Sequence, residues 1–368
     1  GLSRAARRVQ GRSVRTVIWV KRIGWVLASL ILVLLLFTLE FMRFGGQFTA
    51  LPTATPGPCS RIALTASAED IQIDRSRGVA YLSALDRRGL VEGNNVQGDI
   101  LQLDLNDGSA TPVSALAARP SDFRPHGMSL YRMGDGMQRL FVISHPAGGG
   151  HSIEIFEQVG GGPFQPVASI RHPLLLSPNA IVAVGPEQFY VANDKGATNA
   201  LQRVSEFGLR RGMSKLVYFD GQDMRIVADG LKSAVGLGIS PDGLRLYAAE
   251  TLGKRLAVYR RNAGTGELVF DKHVPIVGSP DNVNVDAEGE VWVAVHARLL
   301  DLVRNFGDVG HASPTQIVRY VETDKRPLQT VYAQDGREIS AGSVGAVSNG
   351  TLLIGSITDR TVLRCRLP

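Results

Sequence analysis

Between Ile23 and Leu39 the chain reads IGWVLASLILVLLLFTL, with no charged residue. A helix rises about 1.5 Å per residue, so this run, extended through Glu40 to Phe44 if its ends snorkel, crosses a hydrocarbon core of about 30 Å. The pattern predicts a transmembrane helix over 23–44. The stretch LPTATPGP, Leu51 to Pro58, cannot continue a helix and marks a linker over 45–58. Beyond it no second long apolar helix follows. What recurs is a strand–turn–strand unit: an apolar strand, a Gly-containing turn, and a strand rich in Val, Leu, Tyr or Phe. Copies begin at Glu69 (EDIQIDRSRGVAYLSA), His126, Asn179, Val235 (VGLGISPDGLRLYAAE), Asp281 (DNVNVDAEGEVWVAVH) and Ser343. Their turn glycines, Gly78, Gly136, Gly185, Gly243, Gly289 and Gly350, lie 46 to 61 residues apart. Such spacing predicts an all-β fold, a six-bladed β-propeller over residues 59–368. Regular hairpins in a β-sandwich are the alternative, and six copies over this length disfavour it.

Charge refines this picture. The formal charge is +6, yet residues 1–22 hold Arg4, Arg7, Arg8, Arg12, Arg15, Lys21 and Arg22 and no acid. The rest carries 33 basic against 34 acidic side chains, so the propeller region offers no phosphate-binding surface and no nucleic-acid partner is expected. A cleaved signal peptide has an apolar region of about 7–15 residues followed by small residues. Here the run is longer and Glu40-Phe41-Met42-Arg43-Phe44 follows it, so a signal-anchor is expected. The positive-inside rule leaves 1–22 as a cytoplasmic tail and puts the C-terminal domain on the periplasmic, lumenal or extracellular side. There, the two cysteines, Cys59 and Cys365, either pair across the seam of a ring or stay as separate thiols.

The innermost strands of a propeller line its central channel, so the residues opening each unit meet around one axis. That set is Glu69, His126, Asn179, Val235, Asp281 with Asn282, and Ser343. Its oxygen-rich side chains suit Ca²⁺, which takes 6–8 oxygen ligands, better than zinc. Antiparallel pairing returns the second strands to the same mouth, bringing His145, Asn193 with Asp194, Glu250 and His296. His126 and His145 belong to one hairpin, and two imidazoles beside a cation serve as base and orienter for a water.

Several segments resemble the paraoxonase/arylesterase family of the gluconolactonase-like superfamily: SAEDIQID (Ser67–Asp74), RPHGMS (Arg124–Ser129), SHP (Ser144–Pro146), IVAVGPEQFYVAND (Ile181–Asp194), ISPDG (Ile239–Gly243), SPDNVNVD (Ser279–Asp286) and VYAQDG (Val331–Gly336). The resemblance covers nearly everything from Cys59 to Cys365. It implies a six-bladed propeller closed by a Cys59–Cys365 disulfide, with a catalytic calcium on Glu69, Asn179, Asp281 and Asn282. It implies an inner structural calcium on Asp70 and the Met128 carbonyl, and a catalytic pair His126 and His145. Two positions depart from the family pattern: Val235 stands where an asparagine ligand is expected, and Ala180 where the inner site has its second aspartate. The implied activity is calcium-dependent hydrolysis of lactones and aryl esters, with Ca²⁺ polarising the carbonyl and the His pair activating water. No G-x-S-x-G elbow is present for a serine nucleophile. The alternatives are a sugar-lactone hydrolase of the gluconolactonase type, a calcium-free strictosidine-synthase-like protein, and a non-catalytic membrane-anchored binding propeller.

Overall fold

The computed structural model describes residues 2–134 and 136–368, with side chains from Trp19 onward. It divides into two compact units, residues 1–49 and residues 50–368.

In the first unit a single helix, α1 (Leu2–Phe44), includes the predicted 23–44 span and continues N-terminally through the basic tail. That tail holds six Arg, a good helix former, and no proline, so the backbone has no cause to break at Lys21–Arg22. The side chains of Arg4, Arg7, Arg8, Arg12 and Arg15 lie outside the described residues. Trp19–Phe44 is long and apolar enough to cross a membrane, by length and composition, with a mean hydropathy of 2.4.

The second unit consists of six four-stranded antiparallel sheets, the blades. Blades 1 to 5 run in chain order over residues 67–114, 125–170, 178–231, 234–275 and 279–334. Blade 6 is composite: Gly342–Ser348, Thr351–Ser356 and Thr361–Arg366 take Cys59–Ala63 as their outermost strand. Cys59 is register-paired with Cys365 and disulfide-bonded to it, as expected for a ring seam. Each inner strand touches the inner strands of its two neighbours, closing the circle.

Alternation along the strands places apolar side chains on both faces of each blade, since both faces are covered by neighbours. Six apolar clusters result, one per blade interface. Phe141, Ile153, Ile181 and Phe189 fill the space between blades 2 and 3, for example, and Tyr81, Phe123, Phe156 and Phe164 that between blades 1 and 2. Fully burying such a side chain contributes roughly 1.5–3 kcal/mol. The six interfaces therefore form a rigid wall around the channel, and the residues that open the inner strands, from Glu69 to Ser343, are set on strands.

Candidate active site at the channel mouth

All six inner strands are bulged, and all six bulges lie at the same end. Register with the second strand slips between Ala68 and Ile71, Pro125 and Met128, Pro178 and Ala180, Ala234 and Gly236, Pro280 and Val283, and Gly342 and Val344. The residues released from pairing are Glu69 and Asp70, His126 and Gly127, Asn179, Val235, Asp281 and Asn282, and Ser343: the ring read from the sequence. A bulge re-aims a side chain and frees its backbone, which is how strand residues come to face the axis. The strands approach closely here. A Cβ on Gly127 would lie 2.3 Å from the Asn179 carbonyl oxygen, and one on Gly236 2.3 Å from that of Asp281.

Glu69 occupies the centre and is 2% exposed. Asn282 Nδ2 donates to its Oε1 at 2.7 Å and to its carbonyl at 3.0 Å, and Ser343 Oγ donates to the same carbonyl at 2.7 Å. The other carboxylate oxygen, Oε2, is buried with no hydrogen-bond partner among the described residues, as is Asn179 Oδ1. Arg87 Nη2 lies 3.9 Å from Glu69 Oε2 and donates to the Pro125 carbonyl at 3.2 Å. Asp281 is also buried, and its Oδ2 is 2.8 Å from His296 Nε2. Burial pushes the carboxyls of Glu69 and Asp281 up, against the pull of Arg87 and Asn282 on the first and of His296 on the second. Two buried carboxylates and two unpartnered oxygens constitute a site short of positive charge.

Beside it stand the imidazoles. His126 Nδ1 and His145 Nε2 are 2.9 Å apart, and His126 Nε2 is 3.7 Å from Glu69 Oε1. Burial, reinforced by the Arg87 charge, lowers His126 to about 3. Burial and the neighbouring His126 and His151 lower His145 to about 2, so both rings are neutral at ordinary pH. His145 also meets His151, which the sequence reading did not single out. A signal was available: His151 precedes the strand Ser152–Val159, which opens where the second strand of the hairpin ends, on the mouth side. Arg87 was missed as well, because it enters from a loop helix, Arg87–Val91, with no periodicity to read.

The remaining predicted positions divide. Val235, 8% exposed, joins the apolar cluster between blades 4 and 5. Ala180 lies in the apolar cluster between blades 3 and 4. Asp70 Oδ1 and Oδ2 accept the backbone N–H groups of Ile71 and Met128 at 2.7 and 2.8 Å, and burial together with Glu69 pushes its carboxyl well up. Both oxygens of Asp70 are so engaged, and Ala180, at the position where the family pattern has a second aspartate, brings no oxygen-bearing side chain. Glu250 turns away from the axis, gripped by Arg255 at 2.8 and 3.0 Å and by the Lys232 N–H at 2.7 Å. Asn193 ties the mouth loops together through Ser177 and Leu174. Among the described residues no three His, Cys, Asp or Glu side chains converge as a ligand group, and the mouth set is two carboxylates supplemented by amide oxygens.

A cavity of about 450 Å³ opens over this ring, lined by Arg87, His126, His145, His151, Asn179 and Asp194 among others. Another, of about 470 Å³, lies at the opposite ends of the inner strands, around Arg75, Arg132, Ser240 and Asp286. It has neither the imidazoles nor the unpartnered amide oxygen of Asn179, so the first is the candidate active site.

An arylesterase family profile matches residues 59–367. Serum paraoxonase/arylesterase 1 of Homo sapiens is 32% identical over 81% of this chain and 85% of its own length. Serum paraoxonase/arylesterase 2 of Gallus gallus is 31% identical over 86% and 90%. Among solved structures, a gluconolactonase of Xanthomonas campestris superposes with a TM-score of 0.53 at 17% identity, covering 87% of this chain and 99% of its own. Regucalcin of Agrobacterium tumefaciens does so with a TM-score of 0.52 at 15% identity, over 86% and 96%.

Proposed function

Because this chain belongs to the paraoxonase/arylesterase family, we propose that it hydrolyses lactones and aryl esters at the channel mouth, with Ca²⁺ held by Glu69, Asn179, Asp281 and Asn282. The observation that carries this reading is the pairing of buried, unpartnered oxygens, Glu69 Oε2 and Asn179 Oδ1, with two neutral imidazoles. Oxygen donors on separate blades match a hard, flexible cation. When bound, the ion supplies Lewis-acid polarisation of the carbonyl and opposes the charge that develops on its oxygen.

The side chains do the rest. A base must be neutral before it can take a proton, and burial keeps His126 and His145 neutral. The 2.9 Å contact with His145 orients the His126 ring toward the mouth. Arg87 links Glu69 to the strand that carries His126. Val235 puts an apolar side chain at a ring position where the family pattern has an asparagine, and favours substrates with an apolar acyl or aryl part. No function is assigned to an inner ion at Asp70 and Met128.

The N-terminal helix fits a membrane anchor with the tail 1–22 cytoplasmic, the linker 45–58 leading out, and the disulfide-bonded propeller on the extracytoplasmic side. The test is turnover of phenyl acetate and a small lactone by the detergent-solubilised chain with Ca²⁺, then with EGTA. Calcium-dependent hydrolysis is expected. No turnover together with no calcium-induced rise in melting temperature overturns the reading in favour of a binding propeller.

A further inference from the structure

The cavity of about 470 Å³ at the far end of the channel is lined from five of the six blades and shares no residue with the mouth cavity. Its charged lining is Arg75, Arg132, Arg261, Asp242 and Asp286. Three cations face two carboxylates there, and the two signs are not equally satisfied.

The carboxylates are already taken up. Asp286 accepts from the Glu288 and Glu290 N–H groups and from Trp292 Nε1. Asp242 Oδ1 accepts the Ser240 hydroxyl and the Leu244 N–H. The guanidinium groups are not so matched. Arg75 Nη2 donates to the Val285 carbonyl at 3.0 Å, while its Nε is buried with no hydrogen-bond partner among the described residues. The charges of Asp286 and Glu288 favour the Arg75 cation from a distance, and among the described residues neither forms an ion pair with it. Arg261 spends Nε on Tyr190 Oη at 3.0 Å and Nη1 on the Gly243 carbonyl at 3.1 Å, both neutral acceptors. Arg132 is exposed and meets Asp74 Oδ1 only at 3.9 Å.

A dry, unmatched N–H on a cation costs free energy until an acceptor arrives. The planar guanidinium fork suits a carboxylate, whose two oxygens accept parallel N–H bonds. Between the arginines the wall is aliphatic. Ile73, Val184, Ile239 and Val285, from four different blades, pack on one side against the inter-blade clusters and stay only half-buried at the cavity. An inorganic anion gains nothing from such a wall, whereas the tail of an organic acid does.

We propose that the far cavity is a second binding site, for small organic acids with an apolar tail. Arg75 takes the carboxylate, Arg132 and Arg261 add to the positive field, and the four aliphatic side chains take the tail. The site stands independently of the hydrolase reading, because none of its residues belongs to the mouth.

The test is calorimetric titration of hexanoate into the full chain in non-ionic detergent and calcium-free buffer, with hexanol and inorganic phosphate as separate arms. Hexanoate is expected to bind at one site. Hexanol, which has the tail without the charge, and phosphate, which has the charge without the tail, should each bind at least about tenfold more weakly. Arg75→Gln should weaken hexanoate about 10–100-fold, and Arg132→Gln about two- to fivefold. Lys195→Gln, which removes a cation from the mouth cavity, should change nothing. No hexanoate binding up to about 10 mM overturns the proposal, as does equal binding by Arg75→Gln and the wild type. Phosphate binding as tight as hexanoate overturns the assignment to organic acids, and a loss in Lys195→Gln alone moves the acid to the mouth and overturns the site. If Arg75→Gln fails to fold, the exposed Arg132→Gln decides, and an affinity equal to that of the wild type overturns the proposal.

Discussion

At the far end of the channel, Asp286 commits both carboxylate oxygens to its own turn. The N–H groups of Glu288 and Glu290 donate to Oδ1 at 3.1 and 2.8 Å, and Trp292 Nε1 donates to Oδ2 at 2.8 Å. Asp74, at the same end, accepts from the N–H and hydroxyl of Ser76 at 3.1 and 2.6 Å. At the mouth the same kinds of side chain are left short: Glu69 Oε2, Asn179 Oδ1 and His296 Nδ1 are buried without hydrogen-bond partners among the described residues. Buried polar groups are almost always paired, so a cluster of exceptions on one face of one ring is a functional signature. Bulged register accompanies the deficit, and the far ends of the same strands pair without a slip. Thus the carboxylates Asp286 and Asp74 at one end are taken up by donors of their own turns, whereas at the other Glu69 and Asn179 each keep an oxygen without one.

Substitutions at the two ends should therefore separate activity from stability. The largest effect is expected for His126→Gln, which should lower kcat by roughly 10²–10⁴ while leaving the melting temperature close to that of the wild type. A melting temperature that falls with activity would make His126 a structural residue and erase the contrast. Glu69→Gln should weaken Ca²⁺ binding about 100-fold by calorimetry. In EGTA it should melt no lower than the wild type, because it removes a buried charge that desolvation disfavours. Asp286→Ala should do the reverse, costing about 2–4 kcal/mol in denaturant unfolding with kcat per folded molecule unchanged. The smallest effect is expected for Val235→Asn, which returns a neutral oxygen to the ring: Ca²⁺ binding should tighten by up to about tenfold, again by calorimetry. An unchanged affinity would mean that blade 4 contributes no ligand at this position.

The six blades were legible because each one repeats the same local grammar, and a repeated hairpin is a short-range pattern. The ring positions were legible for a related reason: the residue opening an inner strand is fixed by the strand itself, and Glu69, His126, Asn179, Asp281 and Asn282 all came from there. Long-range arrivals were not legible. Arg87 reaches Glu69 from a loop helix, and His151 meets His145 across a turn rich in glycine, Gly148–Gly150, whose path no periodicity describes. Nor did spacing distinguish Glu250 from its neighbours on the mouth; it took the bidentate grip of Arg255 to show that its charge is already matched. Strand-end composition names the candidates, and partner accounting in three dimensions sorts them.

The composite sixth blade has a mechanical consequence. A pull on the chain ahead of Cys59 meets first the Ala54–Ala333 bridge to blade 5 and then the strand Cys59–Ala63, which is register-paired with Thr361–Cys365 and bonded covalently at Cys59–Cys365. The load passes into the outer edge of the ring and is resisted in shear, instead of peeling the next strand, Ser67–Asp74, away from the axis. Because Glu69 is on that strand, the latch isolates the channel mouth from tension on the preceding chain, and cutting it by reduction would couple the two.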